Sequence, residues 1–275
     1  MTLASAGKAV RLSRLFRLDT ERTVVVALDH GLAGIRPGID DLPKTLEHVL
    51  QGRPDGLVLS AGALYHVADK ICGRAGIVCT IDTFLNSSIP RAEPTGEAHR
   101  MLASVEDALA LGADAVKVFL VGGQAELAGF ADNVTRLAKT ARACQRTGVP
   151  LIVEPTLWGE RVGSAQQRDP TLVAHMCRIA FETGADVLKI PYPGTETLGE
   201  LVSALPCPIL VMGGSTAESM EDTVAFAGEV VAAGARGIVF GQRVWQSPDP
   251  AYTVRALCAA VHGDLADSKA SEEKS

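Results

Sequence analysis

The chain has 275 residues, 47% hydrophobic and 21% charged, which is the composition of a folded globular protein and excludes a disordered one. Its 26 Lys and Arg against 32 Asp and Glu give a formal net charge of -6, which argues against broad electrostatic binding to nucleic acid or to an anionic membrane. The apolar runs are far shorter than the roughly 20 residues of a membrane span, and residues 1–19 lack the apolar segment of a signal peptide. We therefore expect a cytoplasmic protein with no nucleic-acid or membrane partner.

Short β-branched apolar runs recur along the chain and predict eight strands. In chain order they are TVVVALDHG (23–31), DGLVLSAG (55–62), GIVCTIDTF (76–84), ADAVKVFLVGG (113–123), PLIVEPTLWG (150–159), ADVLKIPYPG (185–194), PILVMGGS (208–215) and GIVFGQRV (237–244). Helical periodicity lies between them, as at 125–147, 170–183 and 217–233. Eight evenly spaced units in about 250 residues favour a (β/α)8 TIM barrel of class α/β over a doubly wound open sheet.

The two ends of the chain are predicted to be accessory segments of a single barrel domain. Residues 1–22 contain a basic stretch, 7–18, that we expect to form a short amphipathic helix closing the bottom of the barrel. Residues 23–263 are expected to form the barrel. Residues 264–275 are polar and are expected to be a disordered tail.

Four ionisable residues are predicted to meet inside the barrel. Alternate strand residues point into a barrel, and placing the large apolar residues against the helices turns four others inward: Asp29, Lys117, Glu154 and Lys189. All four lie near the C-terminal ends of their strands, where TIM-barrel enzymes carry their active sites. One interpretation is a buried cluster of salt bridges, because buried charges must pair. The other is that one lysine is an amine nucleophile, whose neutral form is favoured by desolvation and by the second lysine nearby.

The last two predicted strands end in glycine-containing segments. Backbone N–H groups after the seventh and eighth strands of a TIM barrel commonly bind phosphate, and a nearby arginine can add a charge-assisted hydrogen bond. The candidate phosphate-binding residues are Gly213, Gly214, Ser215, Gly241, Gln242 and Arg243. The alternative is that these glycines only form tight turns.

The cysteines, the histidines and several residues after predicted strands indicate a function less clearly. The six cysteines and six histidines show no metal-ligand spacing, so we expect no metal site. Four histidines are expected at the surface: His48, His66, His99 and His175. Four residues that follow predicted strands are candidates for contacting the distal end of a substrate, or are ordinary loop residues: Asp82, Asn86, Trp158 and Arg161.

Four segments, taken together and in order, resemble the archaeal-type class I fructose-bisphosphate aldolases: ALDHG (27–31), GADVLKIPYPG (184–194), MGGS (212–215) and GQRVWQ (241–246). That superfamily also includes aminodideoxyheptulosonate synthases, deoxyribose-phosphate and tagatose-bisphosphate aldolases, and the phospho-autoinducer thiolase. The resemblance covers about residues 23–246. It implies that Lys189 forms a Schiff base with a ketone, that Asp29 orients the hydroxyl and carbinolamine groups, and that the two glycine loops bind phosphate. Lys117 is similar to the strand-four lysine of the tagatose-bisphosphate branch.

Two segments depart from the family pattern. Fructose-bisphosphate aldolases and heptulosonate synthases have a tyrosine acid in a YPRG-like segment, where this chain has EPTLWG with Thr156 nearest the tyrosine position. Glu154, His30 or Tyr192 would have to replace that acid. The family's GRN in the last loop is Gly-Gln-Arg here, which displaces Arg243 by one residue. Both departures argue against ordinary fructose 1,6-bisphosphate as the substrate.

We therefore expect a class I aldolase, independent of metal and organic cofactors, that makes or breaks a carbon–carbon bond in a phosphorylated ketose or related keto compound. Asp29, Lys117 and Glu154 would move protons. One alternative is thiolase-like acyl transfer to coenzyme A on a phosphorylated diketone; it gives more weight to His30, which regular alternation turns away from the lumen. A phosphate-binding isomerase with Glu154 as base and a non-catalytic binding protein are further alternatives. Exposed helical faces predict a homo-oligomer of unspecified subunit number.

Overall fold

The computed structural model describes residues 2–89, 92–213 and 219–263, and in these ranges ten strands and ten helices follow one another along the chain. The strands are β1 (Thr23–Ala27), β2 (Gly56–Ser60), β3 (Gly76–Thr80), β4 (Asp82–Leu85), β5 (Ala98–Met101), β6 (Ala115–Val121), β7 (Leu151–Thr156), β8 (Val187–Ile190), β9 (Ile209–Met212) and β10 (Gly237–Phe240). The helices are α1 (Leu3–Leu12), α2 (Leu42–Gln51), α3 (Ala61–Ile71), α4 (Val105–Ala110), α5 (Leu127–Thr147), α6 (Pro170–Glu182), α7 (Thr195–Ala204), α8 (Met220–Ala232), α9 (Gln242–Trp245) and α10 (Pro250–His262). Two 3-10 turns cover Asp29–Ala33 and Ser164–Arg168.

Eight of the strands close a parallel barrel. Their order around the barrel is β1, β2, β3, β6, β7, β8, β9 and β10, and β10 pairs with β1 so that Thr23 lies opposite Gly237. Each of the eight predicted strands contains one of these barrel strands, and helices cover the outside. The predicted (β/α)8 TIM barrel is therefore confirmed.

The third predicted strand is divided in two, which is a correction to the sequence analysis. β3 ends at Thr80, and β4 leaves the barrel to pair antiparallel with β5. Ile81 marks the departure, because its N–H donates to the carbonyl of Lys117 and its own carbonyl accepts from the N–H of Leu102. The strand β5, with the sequence AHRM, has no apolar alternation that could have predicted this hairpin.

The barrel core has two apolar layers because successive strand residues point to opposite faces. The outer layer, which includes Val24, Val26 and Leu188, packs against the helices. The inner layer has residues from all eight barrel strands, namely Val25, Ala27, Val58, Val78, Ala115, Ile152, Val187, Leu210 and Val239. Ala27, Ala115, Ile152 and Val187 belong to this layer, and each lies two residues before one of the four ionisable residues that were predicted to point inward.

The N-terminal segment lies against the bottom of the barrel. Helix α1 begins after Thr2, whose side chain accepts a hydrogen bond from Ser5 N, and it ends at Leu12, before the predicted limit of residue 18. Leu15 follows it, is 2% exposed and belongs to the inner apolar layer. The predicted tail at 264–275 lies outside the described residues. Among the described residues, no helix has the length and hydropathy needed to cross a membrane.

Candidate active site

The four ionisable residues predicted to meet do so at the C-terminal end of the barrel. Lys117 Nζ donates to Asp29 Oδ2 at 3.0 Å and to Glu154 Oε2 at 2.9 Å. Lys189 Nζ donates to the same oxygen of Glu154 at 2.8 Å. Thr80 Oγ1 donates to Asp29 Oδ2 at 2.7 Å. We call Asp29, Lys117, Glu154 and Lys189 the lysine–carboxylate cluster; all four side chains are buried.

Strand register brings Glu154 and Lys189 to one level of the barrel, with Lys117 two residues below them. Lys117 on β6 lies opposite Ile152 on β7, and Ile152 lies opposite Val187 on β8. Glu154 and Lys189 each come two residues later on the same faces of their strands, so they enter the lumen together above the apolar layer.

Mutual attraction keeps Asp29, Lys117 and Glu154 ionised. Burial by itself raises the pKa of Asp29 and of Glu154, but the ammonium groups of Lys117 and Lys189 outweigh it and hold both pKa values below their ordinary range. Burial by itself lowers the pKa of Lys117, but the carboxylates of Asp29, Glu154 and Asp82 outweigh it and raise that pKa above its ordinary value. Lys117 is therefore a persistent ammonium beside Lys189 at neutral pH.

His30 reaches the site although strand alternation alone would turn it away. β1 ends at Ala27, and the 3-10 turn that begins at Asp29 breaks the alternation. The ring borders both cavities described below, and its Nδ1 is buried without a hydrogen-bond partner. The His30 ring fits here because Gly241 has no side chain. A Cβ at position 241 would lie 2.5 Å from His30 Cε1. Burial lowers the pKa of His30, against the attraction of Asp29, so the imidazole is neutral at pH 7.

Two cavities meet at Glu154 and Lys189. The first, which we call the glycine-side cavity, has a volume of about 470 Å³. Its other lining residues include Thr156, Arg168, Tyr192, Gly213, Gly241, Gln242 and Arg243. Arg243 is positioned by a hydrogen bond to Thr223 Oγ1 at 3.2 Å and by packing of its guanidinium over Phe226. The predicted phosphate-binding residues Gly214 and Ser215 lie outside the described residues.

The second cavity, which we call the hairpin-side cavity, lies next to β4 and has a volume of about 810 Å³. Its lining includes Asp29, Arg36, Thr83, Asn86, Ser87, Lys117, Phe119 and Trp158. Of the four strand-end candidates, Asn86 and Trp158 therefore reach a cavity. Asp82 is fully buried beneath it, and Arg161 Nε donates to the carbonyl of Ala125.

The position nearest the missing family tyrosine is buried in the glycine-side cavity. Thr156 is 1% exposed, and its hydroxyl has no hydrogen-bond partner. Tyr192 lines the same cavity, but its hydroxyl bonds to Glu229 and Thr195, each at 2.6 Å. Partial burial and Glu229 raise the pKa of Tyr192. Of the three acid candidates, His30 has a polar atom, Nδ1, that makes no hydrogen bond; it lies 3.8 Å from Asp29 Oδ1.

A buried pair under the hairpin-side cavity was missed by the sequence analysis. His99, expected at the surface, is 3% exposed, and its Nε2 lies 2.7 Å from Asp82 Oδ2. The same carboxylate oxygen accepts from the N–H of Phe119 at 2.8 Å. Burial raises the pKa of Asp82, with His99 and Lys117 opposing the rise. The prediction for His99 is wrong because the β4–β5 hairpin that buries it was not foreseen.

Asp55, Cys258 and His262 lie within metal-binding distance of one another at the opposite end of the barrel. Both Asp55 oxygens already accept hydrogen bonds, Oδ1 from Arg17 Nε at 2.7 Å and Oδ2 from Val24 N at 2.7 Å. His262 Nε2 also contacts Oδ2 at 2.8 Å. These bonds join the first strand to the last helix, which is a structural function.

Comparison with known proteins is consistent with this geometry. A sequence model of the DeoC/LacD family aldolases matches residues 23–247. The 2-amino-4,5-dihydroxy-6-oxo-7-(phosphonooxy)heptanoate synthase of Streptomyces griseus is 32% identical over 262 residues, covering 94% of this chain and 92% of the relative. The 2-amino-3,7-dideoxy-D-threo-hept-6-ulosonate synthase 1 of Archaeoglobus fulgidus is 32% identical, with 94% of this chain and 92% of the relative covered.

The chain is also similar in fold and sequence to solved structures of aldolases. An archaeal fructose 1,6-bisphosphate aldolase superposes with a TM-score of 0.77 at 28% identity, covering 93% of this chain and 99% of the other. A second archaeal structure, at 27% identity and a TM-score of 0.77, covers 93% of this chain and 100% of the other, and has its catalytic lysine covalently bound to the carbinolamine intermediate of the substrate.

Proposed function

The chain belongs to the DeoC/LacD family of aldolases, and we propose that Lys189 is the amine that forms its Schiff base with the ketone of a phosphorylated substrate. The observation that carries this proposal is the position of Lys189 Nζ. It is buried where the two cavities meet, 2.8 Å from the carboxylate of Glu154. A substrate in either cavity therefore reaches this amine.

Iminium formation needs a neutral amine and a proton acceptor close to it. Glu154 Oε2 accepts the proton of Lys189, and the neutral amine then attacks the ketone carbon to give a carbinolamine. Glu154 then returns this proton to the carbinolamine hydroxyl, which leaves as water, and the Lys117 ammonium, bonded to Glu154 and Asp29, stabilises the carboxylate charge that results. Asp29 orients that hydroxyl.

Carbon–carbon cleavage then uses the iminium as electron sink. A base takes the proton from the hydroxyl on the carbon beyond the scissile bond, and that carbon becomes the aldehyde. The two electrons of the broken carbon–carbon bond pass into the iminium and give an enamine. We assign this base to His30, whose neutral imidazole and unpartnered Nδ1 suit it. Protonation of the enamine and addition of water release the ketone and regenerate Lys189. The reverse sequence makes the bond.

The glycine-side cavity suits the phosphate of the substrate. Its described lining carries Arg168 and Arg243 in addition to the Glu154–Lys189 pair, so it has an excess of positive charge. Gly213, Gly241 and Gln242 lie beside Arg243. The Streptomyces griseus relative is named for a phosphonooxy compound, and the archaeal structures are fructose-bisphosphate aldolases. Three points stay predictions from the sequence: phosphate binding by Gly214 and Ser215, a cytoplasmic location, and homo-oligomeric assembly.

The proposal is tested by aldol activity with dihydroxyacetone phosphate and small aldehydes. We expect Lys189→Met to lose activity by about 10³-fold or more, because removal of a covalent nucleophile abolishes the pathway that depends on it. The matched control, Lys139→Met on the exposed face of α5, should keep full activity.

EDTA treatment separates the proposed chemistry from metal-assisted cleavage, and omission of coenzyme A separates it from acyl transfer. Activity should persist under both conditions. Loss with EDTA that zinc restores, or an absolute need for coenzyme A, would contradict the proposal.

A further inference from the structure

The hairpin-side cavity presents two amines to a substrate. Lys117 and Lys189 both border it, and both donate to the same oxygen of Glu154. A keto compound in this cavity therefore lies close to two primary amines, whereas the proposed reaction uses one of them. The two Nζ atoms differ in what covers them.

Three groups surround the Nζ of Lys117. An ammonium group has three N–H donors. Two of these donors bond to Asp29 Oδ2 and Glu154 Oε2. The ring centroid of Phe119 lies 3.6 Å from Nζ, and Lys117 as a whole is 1% exposed. Lys189 Nζ, by contrast, has Glu154 as its one partner among the described residues, and Lys189 borders both cavities.

Phe119 reaches Lys117 because of its place on β6. Residues two apart in a strand point to the same side, so Phe119 follows Lys117 into the lumen, one step closer to the C-terminal end of the barrel. The ring of Trp158, whose centroid is 5.4 Å from that of Phe119, packs against it. An aromatic ring attracts an ammonium group that lies over its face. The Phe119 ring therefore covers the direction that the two carboxylates leave open.

Side chains hold the backbone of Phe119 where a neighbouring strand would be expected. β3 ends at Thr80, opposite Lys117, so the edge of β6 beyond that point pairs with no strand of the described chain on this side. Phe119 N–H donates instead to Asp82 Oδ2 at 2.8 Å. The carbonyl of Phe119 accepts from Asn133 Nδ2 at 3.0 Å.

His99 joins these two supporting side chains. The N–H of Val121 donates to Asn133 Oδ1 at 2.8 Å, which orients the amide so that its Nδ2 faces His99 Nδ1 at 3.4 Å. Since Nδ2 can only donate, His99 Nδ1 accepts, and Nε2 carries the proton that is donated to Asp82 Oδ2 at 2.7 Å. We call Asp82, His99 and Asn133, none of them more than 3% exposed, the β6 support. It fixes the backbone from which the Phe119 ring extends.

We propose, building on the proposed function, that Phe119 makes Lys189 the only reactive amine of the site by covering Lys117 Nζ, and that the β6 support holds Phe119 in this position. Lys117 then stays an ammonium that supports Glu154, and a ketone in either cavity meets Lys189 alone. Phe119 is a positioning residue and takes part in no bond-making step.

Reductive methylation with formaldehyde and cyanoborohydride compares the two amines without requiring a substrate. The neutral amine adds to formaldehyde, water leaves, and cyanoborohydride supplies the hydride that reduces the iminium; peptide mapping then gives the rate at each lysine. In the wild type, we expect Lys189 and the exposed Lys139 of α5 to be methylated at least tenfold faster than Lys117. Equal methylation of Lys117 and Lys189 in the folded wild type would overturn the proposal, whether or not any variant folds.

Phe119→Ala should raise the methylation rate of Lys117 by tenfold or more, because water that enters the vacated space weakens the attraction between the ammonium and its carboxylates. Phe119→Tyr keeps the ring and should keep the protection. The matched control is Trp158→Ala, which removes the neighbouring ring from the same cavity but leaves Phe119 in place. A wild-type rate in Phe119→Ala, or an equal rise in Trp158→Ala, would overturn the role of Phe119.

The β6 support is tested at Asp82. Asp82→Asn keeps an acceptor for Phe119 N–H and should protect Lys117 nearly as well as the wild type. Asp82→Leu, of similar size, leaves that N–H unpartnered and should raise the rate at Lys117 by tenfold or more while Lys189 keeps its wild-type rate. Circular dichroism at the assay temperature distinguishes this effect from a general loss of structure. Equal protection in the two variants would overturn the role of the β6 support.

Borohydride trapping of dihydroxyacetone phosphate on the same preparations distinguishes the two levels of failure. An adduct on Lys189 in the wild type, together with a Lys117 that stays unreactive in Phe119→Ala, contradicts only the role of Phe119. The absence of any adduct in the wild type contradicts the proposed function itself, and this proposal with it.

Discussion

Glu154 holds both buried lysines through a single oxygen atom, with Lys117 at 2.9 Å and Lys189 at 2.8 Å from Oε2. The Glu154 side chain is 3% exposed. If its carboxylate were removed, water could replace few of the hydrogen bonds that Lys117 and Lys189 would lose. Removing one partner of a buried ion pair leaves an uncompensated charge, which is far more costly than removing a surface partner. The cluster is therefore both the proposed catalytic group and a stabilising contact.

Glu154→Gln should lower the free energy of unfolding at pH 7 by about 3–5 kcal/mol. The pKa of Glu154 is held below its ordinary value of 4.5, so its carboxylate stabilises the fold above that pH. That contribution is lost as the pH falls through the lowered pKa. The difference between wild type and variant should therefore be largest near neutral pH and shrink in acid.

Urea unfolding at pH 7 and at a series of acidic pH values measures this difference. Glu182→Gln is the control, because Glu182 pairs with Arg178 on an exposed face of α6 and should change stability by less than about 1 kcal/mol. A Glu154→Gln effect as small as the control's, or one that grows in acid, would contradict the account of the cluster.

Closure of the barrel depends on the contact between its first and last strands. Gly237 opens β10 opposite Thr23 of β1, and its φ of +145° lies in the range that favours glycine. A Cβ at Gly237 would lie 2.0 Å from the carbonyl oxygen of Thr23. The strands cannot keep their register if a side chain is added here.

Gly237→Ala should therefore destabilise the protein by more than about 1 kcal/mol. Gly228→Ala, in the interior of α8 where an added Cβ would meet nothing within 4 Å, should instead stabilise it by roughly 0.5–1 kcal/mol. Thermal unfolding of the two variants compares them directly. A tolerant Gly237→Ala would show that the close approach of β1 and β10 is not needed for closure.

Across the whole molecule, strand periodicity and the phase of the apolar residues were sufficient to predict the barrel and the meeting of Asp29, Lys117, Glu154 and Lys189. These properties depend on alternation within single strands, which a sequence records directly. His30 was harder to place, because its orientation depends on where β1 ends and a 3-10 turn begins.

Features that depend on long-range packing could not be predicted. The β4–β5 hairpin contains the polar strand AHRM, and the burial of His99 against Asp82 follows from that hairpin. A sequence pattern does not record the pairing of β4 with β5.

The measurement that tests the central claim most directly is borohydride reduction in the presence of dihydroxyacetone phosphate, followed by intact-mass spectrometry and peptide mapping. The account predicts one stable adduct per chain, located on Lys189 in the wild type and absent in Lys189→Met. An adduct located on Lys117, an adduct that persists in Lys189→Met, or no adduct in the wild type would contradict it.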